Sequence, residues 1–436
     1  MKRLLPAGWM FPLAMLAFIG VSVQYTNILF TTTTRWAVLA PLLAYLLLAG
    51  RLTAGFRSTL GALVIVYGAW CVTTTLWSDV PALSGAKSLA QLLVIVAFVG
   101  GGFLWAQRYG FRGALWCLIP IVAVAALAGL GGGVSIEGNA PGDRFEGLTG
   151  NSNMLGSLAA MSMPMLLWQS FGQTSHNRFR HFWRVAALVM AVILALSVSR
   201  SAIGATLITG SGLLLSRGIR RGSLIVLAVT ALIGFSALLA PEILQSTGNT
   251  YILKDTFGVL DTRAEVWAES YAQALKGGVF GGGFGATIGD TSFEGGLKSV
   301  GYGREQGNTQ LAVWEQTGVV GLILYSLIVV ALLWSALSVM RSARTGEDKE
   351  VAGIVLGALA GFLFMGVFEA WWVAPGSPES IFFWSLVGIS QGLRWHVLAA
   401  SRSGPRDRNV GVRRSERPGA AIASNADIWR RPRINN

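Results

Sequence analysis

The chain has 436 residues, of which 53% are hydrophobic and 13% charged, and it carries a formal net charge of +13. Soluble domains average about 25% charged residues, so this composition excludes an ordinary water-soluble enzyme. The basic excess follows the membrane topology worked out below, which removes it as a sign of nucleic-acid binding.

Apolar runs close to the ~20 residues needed to cross a bilayer recur along most of the chain. They predict an all-α polytopic membrane protein with about 12 transmembrane helices, near 9–29, 36–50, 59–77, 86–106, 113–131, 153–171, 183–199, 201–216, 223–240, 311–338, 351–373 and 379–398. The first, "MKRLLPAGWMFPLAMLAFIG", has a short basic start and no small-residue cleavage site, so it reads as a retained span. The seventh and eighth form a tight pair around "SVSRSA". Cys71 and Cys117 each lie inside an apolar segment without metal-ligand spacing and read as small core residues.

With the N-terminus cytoplasmic, the segments on that side hold 25 of the 34 Lys and Arg but 6 of the 21 Asp and Glu. That is the distribution of the positive-inside rule, and it makes both termini cytoplasmic. Residues 1–400 form the helical bundle in this reading. Residues 401–436 are rich in Arg, Gly and Pro, and are expected to be a disordered basic cytoplasmic tail near anionic lipid.

Two outer loops exceed plain connections. One is "SIEGNAPGDRFEGLTGNSN", 135–153; the other, 241–310, is a large periplasmic loop before the tenth span. Within it "DTRAEVWAESYAQALKGG" predicts a helix near 261–276. Thr262 and Glu265 make a capping box. Val266, Trp267, Tyr271, Ala274 and Leu275 make an apolar stripe at helical spacing, which suits either the bundle mouth or the lipid interface. "GGVFGGGFGA" then ends the helix. It lacks the Lys-Ser/Thr ending and preceding strand of a phosphate-binding loop, so no nucleotide site is predicted. No histidine pair or cysteine cluster points to a metal, and no cofactor is expected.

The outer face collects Arg144, Arg200, Arg263 and Arg304. Arg200 closes an apolar run, where burial toward the membrane centre would cost about 2.5–3.5 kcal/mol; snorkelling to the interface is the plainer alternative. Arg144 lies among Asp143 and Glu146, so a loop ion pair is its plainer alternative. Arg263 stands at a helix start, where the macrodipole disfavours a cation unless an anion sits there too. Guanidinium forks match phosphate oxygens bidentately. Several of them at one membrane face suit a phosphate or pyrophosphate whose tail lies in lipid.

Four pieces in order then resemble the O-antigen ligase and polysaccharide polymerase superfamily of bacterial membrane glycosyltransferases. "RFEGLTGNSNMLGSLAAMSMPML" resembles the family's approach to a central span, and "LSVSRSAIGA" its span-ending Ser-Arg turn. "TRAEVWAESYAQALKGGVFGGGFGA" resembles its periplasmic-loop signature, and "GNTQLAVWEQTGVVGL" its return into the membrane. The resemblance implies transfer of a glycan from undecaprenyl pyrophosphate to an acceptor hydroxyl on the periplasmic side, by inversion and without a metal. It implies that Arg200 and Arg263 hold the pyrophosphate and stabilise its departing charge. Arg144, Asn153, Trp267, Arg304 and Asn308 are the expected substrate-binding residues. The family carries His-Asn where this chain has Gly307-Asn308, and His176, His181 and His396 all fall on the cytoplasmic side. Glu305 is the nearest candidate proton acceptor, with a solvated loop glutamate as its plainer alternative; Glu369 is another polar residue at the outer end of a span.

The expectation is an inner-membrane polymerase of exopolysaccharide or O-antigen repeat units. Its partners are undecaprenyl-pyrophosphate-linked oligosaccharide, a glycan acceptor, membrane lipids and other polysaccharide-assembly proteins. The alternatives are a ligase to a lipid A-core or protein acceptor, a carrier or flippase for lipid-linked sugars, and a non-catalytic assembly component.

Overall fold

A computed structural model describes residues 7–24, 26, 29, 31–130, 144–173, 179–228, 261–286 and 307–402, with the backbone alone for 7, 32, 261–265 and 402. The described residues are helical, without a strand. In chain order the helices are α1 (Met10–Gly20), α2 (Thr32–Leu48), α3 (Thr59–Thr73), α4 (Pro81–Ala114), α5 (Ile119–Leu130), α6 (Ser152–Phe171), α7 (Arg180–Leu196), α8 (Arg200–Ser216), α9 (Asp261–Gly277), α10 (Thr309–Ser342), α11 (Gly346–Met365) and α12 (Pro378–Arg402). The expected span at 223–240 lies largely outside the described residues, as does most of the tail. Each of the other expected spans coincides with a helix. Three segments, Thr59–Trp77, Pro81–Leu130 and Thr309–Ser342, are long and apolar enough to cross a membrane.

Contacts between helix ends sort into two rims. At the first, Phe145 N donates to Leu196 O at 3.2 Å and Thr309 N to Gly366 O at 2.8 Å. At the second, Arg217 pairs with Glu350 at 2.7 Å and His396 Nε2 lies 3.0 Å from Ala106 O. Helix ends far apart in sequence therefore meet at each rim.

Two helix pairs pack backbone to backbone through glycine. Gly353, Gly357 and Gly361 of α11 repeat every fourth residue and face Gly212, Thr209 and Ala205 of α8; a Cβ on Gly361 would lie 2.4 Å from Ala205 O. Gly388 and Gly392 of α12 meet Val99 and Phe103 of α4 in the same way. Small residues let helix backbones approach closely, the preferred packing where lipid removes a hydrophobic drive. The α8–α11 pair fixes the start of α8 against the end of α11, which positions the site.

The helix expected as one span at 311–338 is broken. Gly318 in α10 takes φ +70° and ψ −173°, leaving a short half-helix at 309–317 and a long one at 319–342. Apolar composition predicts insertion but does not encode one left-handed residue, which only glycine adopts without steric cost.

Candidate functional site at the first rim

The break in α10 is closed by the glycine-rich segment after α9. Gly282 N donates to Glu315 O at 2.9 Å and Gly283 N to Gln316 O at 3.0 Å, while Val319 N and Val320 N donate to Gly278 O and Val279 O at 3.2 and 3.3 Å. Trp70 Nε1 donates to Thr317 O at 2.9 Å, and Gln316 Oε1 accepts Gly285 N at 2.8 Å. Backbone groups freed at a break must find partners in a low-dielectric interior, and here the segment supplies them. The glycines follow from the approach distances: a Cβ on Gly281 would lie 2.4 Å from Gln316 O, and one on Gly318 2.2 Å from Val279 O. The segment is a structural splice, in keeping with its failure to match a nucleotide loop.

The splice anchors α9. Trp267 Nε1 donates to Gly307 O at 3.1 Å, its ring lies 6.1 Å from that of Phe368, and Ser270 and Ala274 are fully buried. The expected single stripe divides into two faces. Trp267 and Ala274 turn inward, whereas Tyr271 and Leu275 are 51% and 53% exposed, with Tyr271 edge-on to Trp314 at 6.1 Å. Arg263 lies one turn before Trp267, on the same side of the helix by the i, i+4 rule; its side chain is outside the described residues.

Asn308 caps α10, its Oδ1 accepting Leu311 N at 2.9 Å and its Nδ2 donating to Val367 O at 2.9 Å. Thr309 Oγ1 donates to Glu369 O at 2.7 Å. These bonds lay the start of α10 on the 366–370 turn that follows α11. The turn is held from below by aromatic packing, with Trp372 4.9 Å from Trp384 and 4.8 Å from Tyr325, and by Gln91 Nε2 on Trp372 O at 3.2 Å.

From the other side comes the Ser-Arg turn. Val198 sits at φ +52°, the sole non-glycine residue with positive φ among those described. A β-branched residue there is strained, at about 1–2 kcal/mol. The turn is held by Ser197 Oγ on Leu194 O at 2.8 Å and by α6, where a Cβ on Gly156 would meet Ser199 Cβ at 2.5 Å. Arg200 is thereby the first residue of α8, where the macrodipole disfavours its charge. One residue on, Ser201 Oγ donates to Glu369 Oε1 at 3.5 Å.

Arg144 reaches Ser152 Oγ through Nη1 at 3.4 Å, and its neighbour Phe145 is bonded to Leu196, four residues before Arg200. Asn153 stands half-buried in the first turn of α6, whose cap is Asn151: Asn151 Oδ1 accepts Asn153 N at 2.9 Å. Of the residues chosen from sequence, Arg144, Asn153, Arg200, Trp267 and Asn308 share this rim, together with the α9 backbone at Arg263. Arg304 and Glu305 lie outside the described residues. His396 and His181 lie at the second rim; His176 is outside the described residues.

Three rim residues were absent from the expected site. Glu369 was noted only as a polar span end; its nearness to Ser201 joins positions 168 apart in sequence. Arg35 stacks on Phe18 and Trp36 at 5.7 and 5.9 Å. Glu379, 4% exposed, opens α12 beside Ser157 and Ser377. A charged residue at the edge of an apolar run was the signal available for all three. No family model matches the chain, and a search of curated proteins returned no match.

Proposed function

We propose that the chain is an inner-membrane glycosyltransferase that polymerises undecaprenyl-pyrophosphate-linked repeat units of a surface polysaccharide on the periplasmic side. The observation that carries this reading is the meeting of Arg200, Arg144, Asn308, Glu369 and the Arg263 helix at one rim. A lipid diphosphate would lie between the guanidinium groups with its chain in the bilayer. An acceptor hydroxyl then attacks the anomeric carbon from the face opposite the diphosphate. The new C–O bond forms as the bond to the diphosphate breaks, and undecaprenyl pyrophosphate leaves with the electron pair. Arg200 and Arg263 stabilise that developing charge. The hydroxyl proton passes to a carboxylate. Glu305 fills that role by its closeness to the family's histidine position; Glu369 fills it by its place beside Ser201 and over Thr309.

The test uses purified protein and lipid-linked repeat units, with and without a separate acceptor. Polymer without added acceptor supports a polymerase; product that needs the acceptor supports a ligase. R200A and R263A should each abolish product while the protein stays inserted, and normal product from both would sink the diphosphate clamp. Between E305Q and E369Q, the variant that loses at least about 100-fold in rate identifies the proton acceptor.

A further inference from the structure

At the second rim, three guanidinium groups converge on the last turn of α6. Arg180 Nε donates to Ser170 O at 3.1 Å and Arg184 Nε to the same oxygen at 3.4 Å. Arg217 Nη2 donates to Phe171 O, and its Nε pairs with Glu350 Oε1 at 2.7 Å. Glu350 is consumed in this contact, since its other oxygen accepts Gln173 N at 2.8 Å. Arg180 and Arg184 therefore share one neutral carbonyl and have no carboxylate partner among the described residues. Each is bonded to that carbonyl through Nε, which brings two like charges to one oxygen.

The surroundings are apolar. Trp183 lies 5.3 Å from Phe182 and 6.4 Å from Trp116, an aromatic group of the kind found at membrane interfaces. Beyond it Phe182, Val185, Leu188, Val189 and Val192 form a continuous stripe along α7, each at least 43% exposed. From Phe182 to Val192 the helix rises about 15 Å, the depth of one leaflet.

We propose that Arg180 and Arg184 hold the phosphate of an anionic phospholipid, whose acyl chains lie along the exposed face of α7. Two guanidinium groups drawn to one carbonyl supply paired positive charge and N–H donors for phosphate oxygens, and the apolar stripe supplies the bed for the tail. This site is at the opposite end of the bundle from the glycan site and stands whether or not the glycosyltransferase reading does.

The experiment is native mass spectrometry of the detergent-purified full chain with phosphatidylglycerol, phosphatidylcholine or inorganic phosphate added. Two cations beside an anionic headgroup predict roughly a thirty-fold preference for phosphatidylglycerol over phosphatidylcholine. R180Q/R184Q should lose it, and R220Q/R221Q, which removes the same charge from the same rim, should keep it. Equal loss in both pairs, or unchanged preference in the first, would overturn the site. So would retention of inorganic phosphate as tight as that of the lipid. Should the first pair not fold, R180Q and R184Q are read singly: loss in either supports the site, and full retention in both overturns it.

Discussion

Gly281 and Gly278 both lie in the splice and both take positive φ, +80° and +56°, yet their surroundings differ. A Cβ on Gly281 would sit 2.4 Å from Gln316 O and 2.5 Å from Gly318 N, whereas one on Gly278 would meet nothing within 4 Å. Alanine at either position costs about 1–2 kcal/mol from its left-handed conformation. At 281 the obstacles are backbone atoms that cannot rotate aside, so the loop must yield by about 1 Å to reach ordinary contact. That shift stretches the Gly282–Glu315 and Gly283–Gln316 bonds, at about 1 kcal/mol each. G281A is therefore expected to destabilise the splice by about 3–4 kcal/mol and G278A by about 1–2 kcal/mol. Amide exchange at Gly282 and Gly283 reads the local opening free energy directly. It should accelerate about 30-fold more in G281A than in G278A, at 1.4 kcal/mol per factor of ten. Equal acceleration would show that steric enclosure by α10 does not hold the segment, and the splice would lose its physical basis.

R217A strands the buried Glu350, 1% exposed in its side chain, and should cost about 3–5 kcal/mol; R217M/E350M should recover most of that in thermal unfolding. W267F removes the bond to Gly307 O and should cost about 1 kcal/mol. W267A adds the loss of the Phe368 contact and should release α9 to proteolysis. G357V drives a side chain into α8, where Thr209 O stands 2.7 Å from the Cβ position. Overpacking of about 1–3 kcal/mol is expected. It should also lengthen the Ser201–Glu369 distance in a solved structure of the variant.

Hydropathy located the helices because burial in lipid depends on summed composition, which survives small errors of position. The charge pattern sorts the loops into a basic set and an acidic set, which is the basis for expecting two faces. The loop helix was legible from Thr262, Glu265 and its 3.6-residue pattern. Its orientation was not, because apolar residues cover both the face on the bundle and the face that carries Tyr271 and Leu275. The break at Gly318 was hidden for a different reason. "QTGVVG" has the composition of any span, and the partner that makes a break affordable is the glycine segment more than thirty residues earlier. Neither stretch discloses the other, since apart from Gln316 Oε1 with Gly285 N their bonds are between backbone atoms and carry no side-chain signature.

That same backbone pairing gives the candidate site its geometry. Had α10 run unbroken, the splice would have no free carbonyls to bind, and α9 would hang on Trp267 and a few apolar contacts. With the break, α9 is tied at its C-terminal end by four main-chain bonds to α10 and near its middle by Trp267 to Gly307, the residue before the α10 cap. Two anchors along one helix fix both its position and its roll. Arg263 is then carried at a fixed distance along a rigid element from the Asn308–Glu369 turn, while Arg200 is fixed to that turn independently by the glycine-packed α8–α11 pair. A loop that must bring one cation to another across a membrane face needs such a tie, because loop closure alone leaves its conformational freedom largely intact. The glycines of the splice thus fix α9 against α10 through backbone contacts.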